Sequence, residues 1–195
     1  MLPKTVTVSA GAKVNPQLAI HGRRADGFHE LTTLMLGLDL RDEVTVSLVP
    51  GSGQISLRSS GPFATPDIVA DETNLAVRGV RSALEALGSS DTLGENDLHI
   101  ALHKGIPSRA GLGGGSADAA AAAFATLELV AQDRVDSVDR AVTRSLGTIG
   151  ADCAFFFAAR DHGAAQSSGR GKQVEPMAAA PRWHLALLTP AIDCA

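Results

Sequence analysis

The run Gly105-Ile106-Pro107-Ser108-Arg109-Ala110-Gly111-Leu112-Gly113-Gly114-Gly115-Ser116-Ala117-Asp118, followed without a break by alanines at 119–123, restricts this chain more than any other feature. Four glycines in five positions let the backbone turn tightly without Cβ clashes. The alanines favour helix, and residues 98–102 just upstream read as a buried strand. A strand, a glycine-rich bend and a helix in that order present unpaired N–H groups and the positive end of a helix dipole, which is a cradle for an anion. Ser116 and Asp118 are helix-opening residue types that cap such N–H groups. The spacing fits neither GxxxxGK[ST] nor a GxGxxG following the first strand, so Walker-type and Rossmann readings are weak. From the loop alone, an ordinary turn and a phosphate cradle both stay open.

The rest of the chain reads as α+β, without the regular βαβ alternation of a doubly wound sheet. Residues 5–9 alternate as a half-buried strand, 13–20 continue as a second extended segment, and 21–29 form a glycine-bounded loop. Residues 31–40 are apolar and extended, 42–49 alternate clearly, and 54–58 pair nearby. Thr73-Asn74-Leu75 opens a helix lined by Leu75, Val77, Val80, Leu84 and Leu87 and closed by Gly88. Helices are expected over 116–131 and over 137–146, the latter ended by Gly147, with a strand or helix start at 154–158, a polar hairpin at 161–175 and a strand at 184–188.

Composition removes several function classes. Seventeen Lys and Arg stand against 21 Asp and Glu, giving a net charge of −4 with no basic block, so nucleic acid is not an expected partner. Cys153 and Cys194 are too few and too far apart for a disulfide framework or a CxxC metal site, and a reducing cytoplasm is the simplest setting. No run approaches 18 apolar residues, and the first twelve residues lack a signal-peptide core, so no membrane partner is expected.

Phosphoryl transfer needs a cradle, a cation near the moving group and a group that takes or orients the attacking hydroxyl. Lys13, in Ala12-Lys13-Val14-Asn15, is a lone lysine on an apolar stretch; a solvated surface residue is the alternative. Asp152 stands at the mouth of the apolar run Cys153-Ala154-Phe155-Phe156-Phe157, either as a helix cap or as an acid kept for chemistry. Neither residue decides the matter by itself.

The glycine loop is similar to the Pro-x-x-x-Gly-Leu-Gly-Gly-Gly-Ser motif of the GHMP kinase superfamily. Together with Ala12-Lys13-Val14-Asn15, Gly22-Arg23-Arg24-Ala25-Asp26-Gly27-Phe28-His29-Glu30-Leu31, Asn74-Leu75 and Gly150-Ala151-Asp152, it resembles the branch that phosphorylates a cytidine-diphosphate-linked methylerythritol for isoprenoid synthesis. The motifs run in family order from about residue 10 to 158. The resemblance implies a GHMP N-terminal ATP-binding domain over residues 1–160 and the beginning of a second α+β domain over 161–195. It implies that Asp152 is the general base or hydroxyl-orienting group, and that Lys13 stabilises developing charge and tunes the Asp152 carboxylate. Asn15 is then the holder of the methylerythritol end. Phe28 stacks on cytosine, and His29 and Lys104 bind the cytidine diphosphate. Asn74 lies near adenine, while Pro107, Gly111, Leu112, Gly113, Gly114, Gly115, Ser116 and Ala117 wrap the phosphates of ATP. Mg²⁺ is implied with ATP, and no protein ligand for a metal stands out.

The chain departs from the family pattern in places. Pro16-Gln17 follows Asn15 where apolar residues are usual, removing a strand N–H. Phe28 replaces Tyr, Ala117 replaces Ser, Cys153-Ala154 replaces Val-Pro, and Gly171-Lys172 replaces Gly-Glu. The chain stops at Ala195, where the family's second domain begins, so the third glycine-rich motif is expected to be absent, the site more open to water, and self-association through exposed edges favoured. A non-catalytic nucleotide-binding relative and another GHMP small-molecule kinase are the competing expectations, the 27–29 loop speaking against the second.

Overall fold

A computed structural model describes residues 4–23, 27, 29–88, 93–131, 135–161, 163–169, 173–177 and 183–188. Its described strands are β1 (Lys4–Arg23), β2 (His29–Pro50), β3 (Ile55–Ser60), β4 (Asn96–His103), β5 (Ala164–Gly169) and β6 (Gln173–Pro176). The helices are α1 (Leu75–Ala86), α2 (Gly114–Val130), α3 (Val135–Ile149) and α4 (Ala151–Ala158). The expected α+β class holds.

One long hairpin organises the sheet. β1 pairs antiparallel with β2 from Lys4↔Leu48 to Arg23↔His29, so the separate extended segments read at 5–9 and 13–20, and at 31–40 and 42–49, merge into two continuous strands. What looked like breaks are register shifts. Between Gly11↔Arg41 and Lys13↔Gly37, β2 carries extra residues; between Val14↔Leu36 and Gln17↔Leu34, the extra residue is on β1. Pro16 falls in that second irregularity, where a ladder donor is not required, so the lost hydrogen bond expected there does not arise.

The other edge of β2 is shared. Its C-terminal half pairs antiparallel with β4, and residues 31–36 pair with β5, which in turn carries β6. β3 lies parallel to β4 with α1 between them in sequence, one βαβ unit within an otherwise antiparallel sheet. The hairpin expected at 161–175 is therefore built from β5 and β6 and extends this same sheet through β2, so the sheet has no break at residue 160.

The helices follow from local sequence, with one correction at the end of α3. Asn74 is the N-cap of α1, its Oδ1 accepting the Ala76 N–H at 2.9 Å, and Gly88 beyond the helix takes φ +68°, which glycine adopts freely. α3 does not stop at Gly147 but continues to Ile149, because helical burial of Leu146 and Gly147 against α4 outweighs glycine's weak propensity. Residues 154–158 are helical, within α4. Residues 183–188 form no strand and are exposed, Leu188 at 94%, so the expected strand at 184–188 is not made.

α2 explains the alanine tract. It is buried on almost every side, between the sheet, α1, α3 and α4. One side packs Ala117, Ala121, Ala122 and Ala125 against Val44 and Val46 of β2, Leu98, Ile100 and Leu102 of β4, and Val77, Val80 and Leu84 of α1. The opposite side sets Ala119, Ala120, Ala123 and Leu127 against Val142, Leu146, Cys153 and Phe157. Each fully buried Val, Leu, Ile or Phe contributes about 1.5–3 kcal/mol, and small alanines allow the layers to approach. At Gly79 the approach is closest: a Cβ there would overlap the Ala119 carbonyl.

Candidate active site

The expected anion cradle takes shape at the N-terminus of α2. The first helical residue is Gly114, and the N-cap is Gly113 at φ +75°, ψ +16°, with no side-chain cap. Ser116 and Asp118, expected to cap the helix, instead lie within its first and second turns. The N–H groups at the helix start thus face outward without a capping side chain, and the dipole's positive end is uncovered. A cleft of about 410 Å³ lies over them, lined by Pro107 and residues 108–116 on one side and by Asp67, Ile68, Val69, Thr73 and Asn74 on the other. Asn74 forms part of that wall, but its amide is engaged in the α1 cap and donates to the Val69 carbonyl at 2.7 Å. Ala117 is buried on the core side of α2.

Lys13 and Asp152 meet at the inner end of this loop. The register shift opposite the extra residues of β2 brings Lys13 to Leu112, whose carbonyl accepts the Lys13 N–H at 2.9 Å. The Lys13 side chain, 10% exposed, reaches Asp152 Oδ2 with its Nζ at 3.3 Å. Asp152 sits in the first turn of α4, where an acid is favoured by the helix dipole, and its carboxylate is 32% exposed and turned to Lys13. The second bulge turns Asn15 back toward the same point: Lys13 Nζ donates to Asn15 Oδ1 at 2.7 Å, Asn15 Nδ2 donates to Thr33 Oγ1 at 3.0 Å, and Thr33 donates to the Gln17 carbonyl at 2.8 Å. Lys13, Asn15 and Thr33 of the hairpin and Asp152 of α4 are therefore linked by one chain of polar contacts. Thr33 closes it, and nothing in the sequence pattern of residues 31–40 singled it out.

Loop and pair are in direct contact. A Cβ at Gly113 would stand 3.1 Å from Lys13 Cγ and 3.0 Å from the Phe156 ring, and one at Gly150 would lie 3.7 Å from Ser116 Oγ. The Cys153 thiol bonds to Ser116 and is raised above its ordinary value by burial, which keeps it a neutral packing group.

Other expected site residues fare differently. Phe28 lies outside the described residues, as do Gly171 and Lys172. His29 is exposed at the start of β2, opposite Arg23 at the far end of the hairpin. Lys104, expected to bind the cytidine diphosphate, lines the cleft over the glycine loop, but its side chain is 6% exposed and its ammonium is held by the carboxylates of Asp42 and Asp118. Asp42 was missed because an acid beginning an alternating strand reads as solvated; only the fold turns it inward.

Known proteins match this architecture. Residues 74–159 match the GHMP kinases N terminal domain family. The 4-diphosphocytidyl-2-C-methyl-D-erythritol kinase of Desulfitobacterium hafniense is 36% identical over 190 residues, 97% of this chain and 59% of that protein. The enzyme of the same name from Saccharopolyspora erythraea is 36% identical over 94% of this chain and 54% of its own length. The chain thus spans a little over half the length of the curated relatives it matches. Among solved structures, a 4-(cytidine 5'-diphospho)-2C-methyl-D-erythritol kinase superposes with a TM-score of 0.63 at 35% identity, covering 88% of this chain and 55% of that one. Homoserine kinase from Cytophaga hutchinsonii, at 22% identity and a TM-score of 0.58, shares the fold. A glycine loop opening an uncapped helix, the sheet that carries it and these matches lead to one assignment: residues 74–159 are a GHMP kinase N-terminal domain, in a chain similar over most of its length to kinases of that family.

Proposed function

We propose that the chain carries the nucleotide-binding and proton-accepting part of a kinase that transfers the γ-phosphoryl group of ATP to a hydroxyl of 4-diphosphocytidyl-2-C-methyl-D-erythritol. The observation that carries this reading is the Lys13–Asp152 pair, 3.3 Å apart at the inner end of the glycine loop. The residues fit a nucleotide triphosphate: uncapped N–H groups, a left-handed Gly113 and a roomy cleft above them. Mg²⁺ would accompany the nucleotide and offset the charge of its phosphates.

Asp152 takes the proton of the substrate hydroxyl as that oxygen bonds to the γ-phosphorus, and the β–γ bridging oxygen leaves with ADP. Lys13 lies where negative charge builds between the two oxygens, and Asn15 fixes the Lys13 ammonium while offering its amide to the acceptor. Cytidine recognition by Phe28 and His29 and a reducing cytoplasm complete the proposal. In the described part of the chain no helix is long and apolar enough to cross a membrane.

The test is coupled ADP release by the purified chain with and without the cytidine-linked acceptor. Release that depends on the acceptor and disappears in Asp152→Ala is expected. ATP binding without transfer would reassign the chain to nucleotide binding alone, and acceptance of homoserine or mevalonate without competition by cytidine 5′-diphosphate would reassign the substrate.

A further inference from the structure

Beneath the glycine loop lies a buried ionic cluster that the transfer chemistry leaves unused. Asp42 on β2, Lys104 just after β4 and Asp118 in the second turn of α2 are 1%, 5% and 3% exposed. Lys104 Nζ donates to Asp42 Oδ2 and, at 2.5 Å, to Asp118 Oδ2. The remaining Asp42 oxygen accepts the N–H groups of Gly105 at 2.7 Å and Ile106 at 2.8 Å, the two residues that open the loop. Gly105 is pressed so closely on the Arg41 carbonyl that a Cβ would overlap it. Asp118 Oδ1 is buried with no hydrogen-bond partner.

A cluster of this composition is costly. Two carboxylates and one ammonium must be stripped of water, and such groups rarely outperform apolar packing in net stability. What they supply is geometry, since each charged hydrogen bond is short, directional and hard to replace in a low-dielectric interior. Here they tie β2, the entry of the loop and the start of α2 to one nitrogen. The pitch of the loop relative to the helix sets where its N–H groups point.

Resting on the kinase reading above, we propose that Asp42 and Asp118 are positioning residues for the nucleotide: through Lys104 and the Gly105 and Ile106 amides they hold the glycine loop at the angle that grips the phosphates. They act through the backbone of the loop and not by transferring a proton or charge to the ligand.

Asp42→Asn tests this, read by calorimetric titration with MgATP and with cytidine 5′-diphosphate, and by amide hydrogen exchange at Gly105 and Ile106. The expected result is about tenfold weaker MgATP binding, faster exchange at both amides and cytidine diphosphate affinity within about twofold of the parent. MgATP affinity within about twofold of the parent in a folded variant would overturn the proposal, as would equal losses for both ligands, which signal general loosening. Should Asp42→Asn fail to fold, Asp118→Asn decides by the same readouts, because it keeps an oxygen for Lys104 but cannot ionise. If the parent binds no ATP, the kinase reading fails on its own, and amide exchange at Gly105 and Ile106 still decides whether the cluster orders the loop.

Discussion

The Lys13 ammonium lies 3.3 Å from the Asp152 carboxylate, one residue on a bulged strand and the other on the first turn of α4. The pair is partly buried, with Lys13 10% and Asp152 32% exposed, and an acid and an amine held together at the glycine loop have a consequence that is chemical. Lys13→Met and Asp152→Asn are each expected to lower phosphoryl transfer by about 10² or more while leaving MgATP affinity within a few-fold. Groups that act as a unit are not additive, so the double variant should be no slower than the worse single one. Single-turnover transfer measured on the three variants checks this, and multiplying losses would separate the two roles.

Gly113 supplies a second expectation. Its φ of +75° disfavours any side chain, and a Cβ would press on the Phe156 ring and on Lys13 Cγ at 3.0 and 3.1 Å. Gly113→Ala should therefore lose about 1–2 kcal/mol of stability from backbone strain and weaken MgATP binding as the loop and Lys13 shift. Thermal unfolding and calorimetry measure the two effects separately. A variant that keeps full affinity would show that the loop bends elsewhere.

How far these features were legible differs by kind. The cradle, α1 with its Asn74 cap and the strand at 98–102 were readable because each is specified by neighbours in sequence: glycine spacing, a capping residue, alternation. The α3 terminus was not, since Gly147 is tolerated only because α4 covers it. The single β1–β2 hairpin was obscured because bulges at Asn15-Pro16 and at residues 38–40 interrupt the period-two pattern without ending the strand. Lys13 and Asp152 could be named from family motifs, but Thr33 and Asp42 could not. Their roles depend on partners far away in sequence, Asn15 for one and Lys104 for the other, and a hydroxyl or acid on a strand gives no local sign of which way it will be pulled.

Asp118 gives stability a pH signature. Burial, opposed by Lys104 and reinforced by Asp42, pushes its carboxyl from 3.8 up to about 7. In the folded state it holds its proton where the unfolded chain has released it, so this residue's contribution to stability falls as pH rises from about 4 to about 7. Asp118→Asn removes that titration. Urea midpoints across pH 4.5–7.5 should decline less steeply in the variant than in the parent, and parallel profiles would mean that Asp118 stays charged throughout.

The contact between Gly79 and Ala119 is the most stringent packing test. Replacing a helical glycine by alanine ordinarily gains about 0.5–1 kcal/mol, because the unfolded chain loses freedom. At position 79 the added methyl would overlap the Ala119 carbonyl, backbone that cannot step aside without moving α1 away from α2 and opening the shared core of Val80, Ala83 and Ala122. Overpacking of this kind costs about 1–3 kcal/mol and should outweigh the propensity gain. Gly88→Ala serves as the comparison: its φ of +68° is strained for alanine, but nothing lies within 4 Å of the new methyl. Equilibrium urea unfolding is expected to place Gly79→Ala well below the parent and below Gly88→Ala, whose loss is limited to about 1 kcal/mol of backbone strain. A stabilised Gly79→Ala would mean that the two helices stand further apart than the alanine tract implies, and the position of the glycine loop at the head of α2 would have to be redrawn with them.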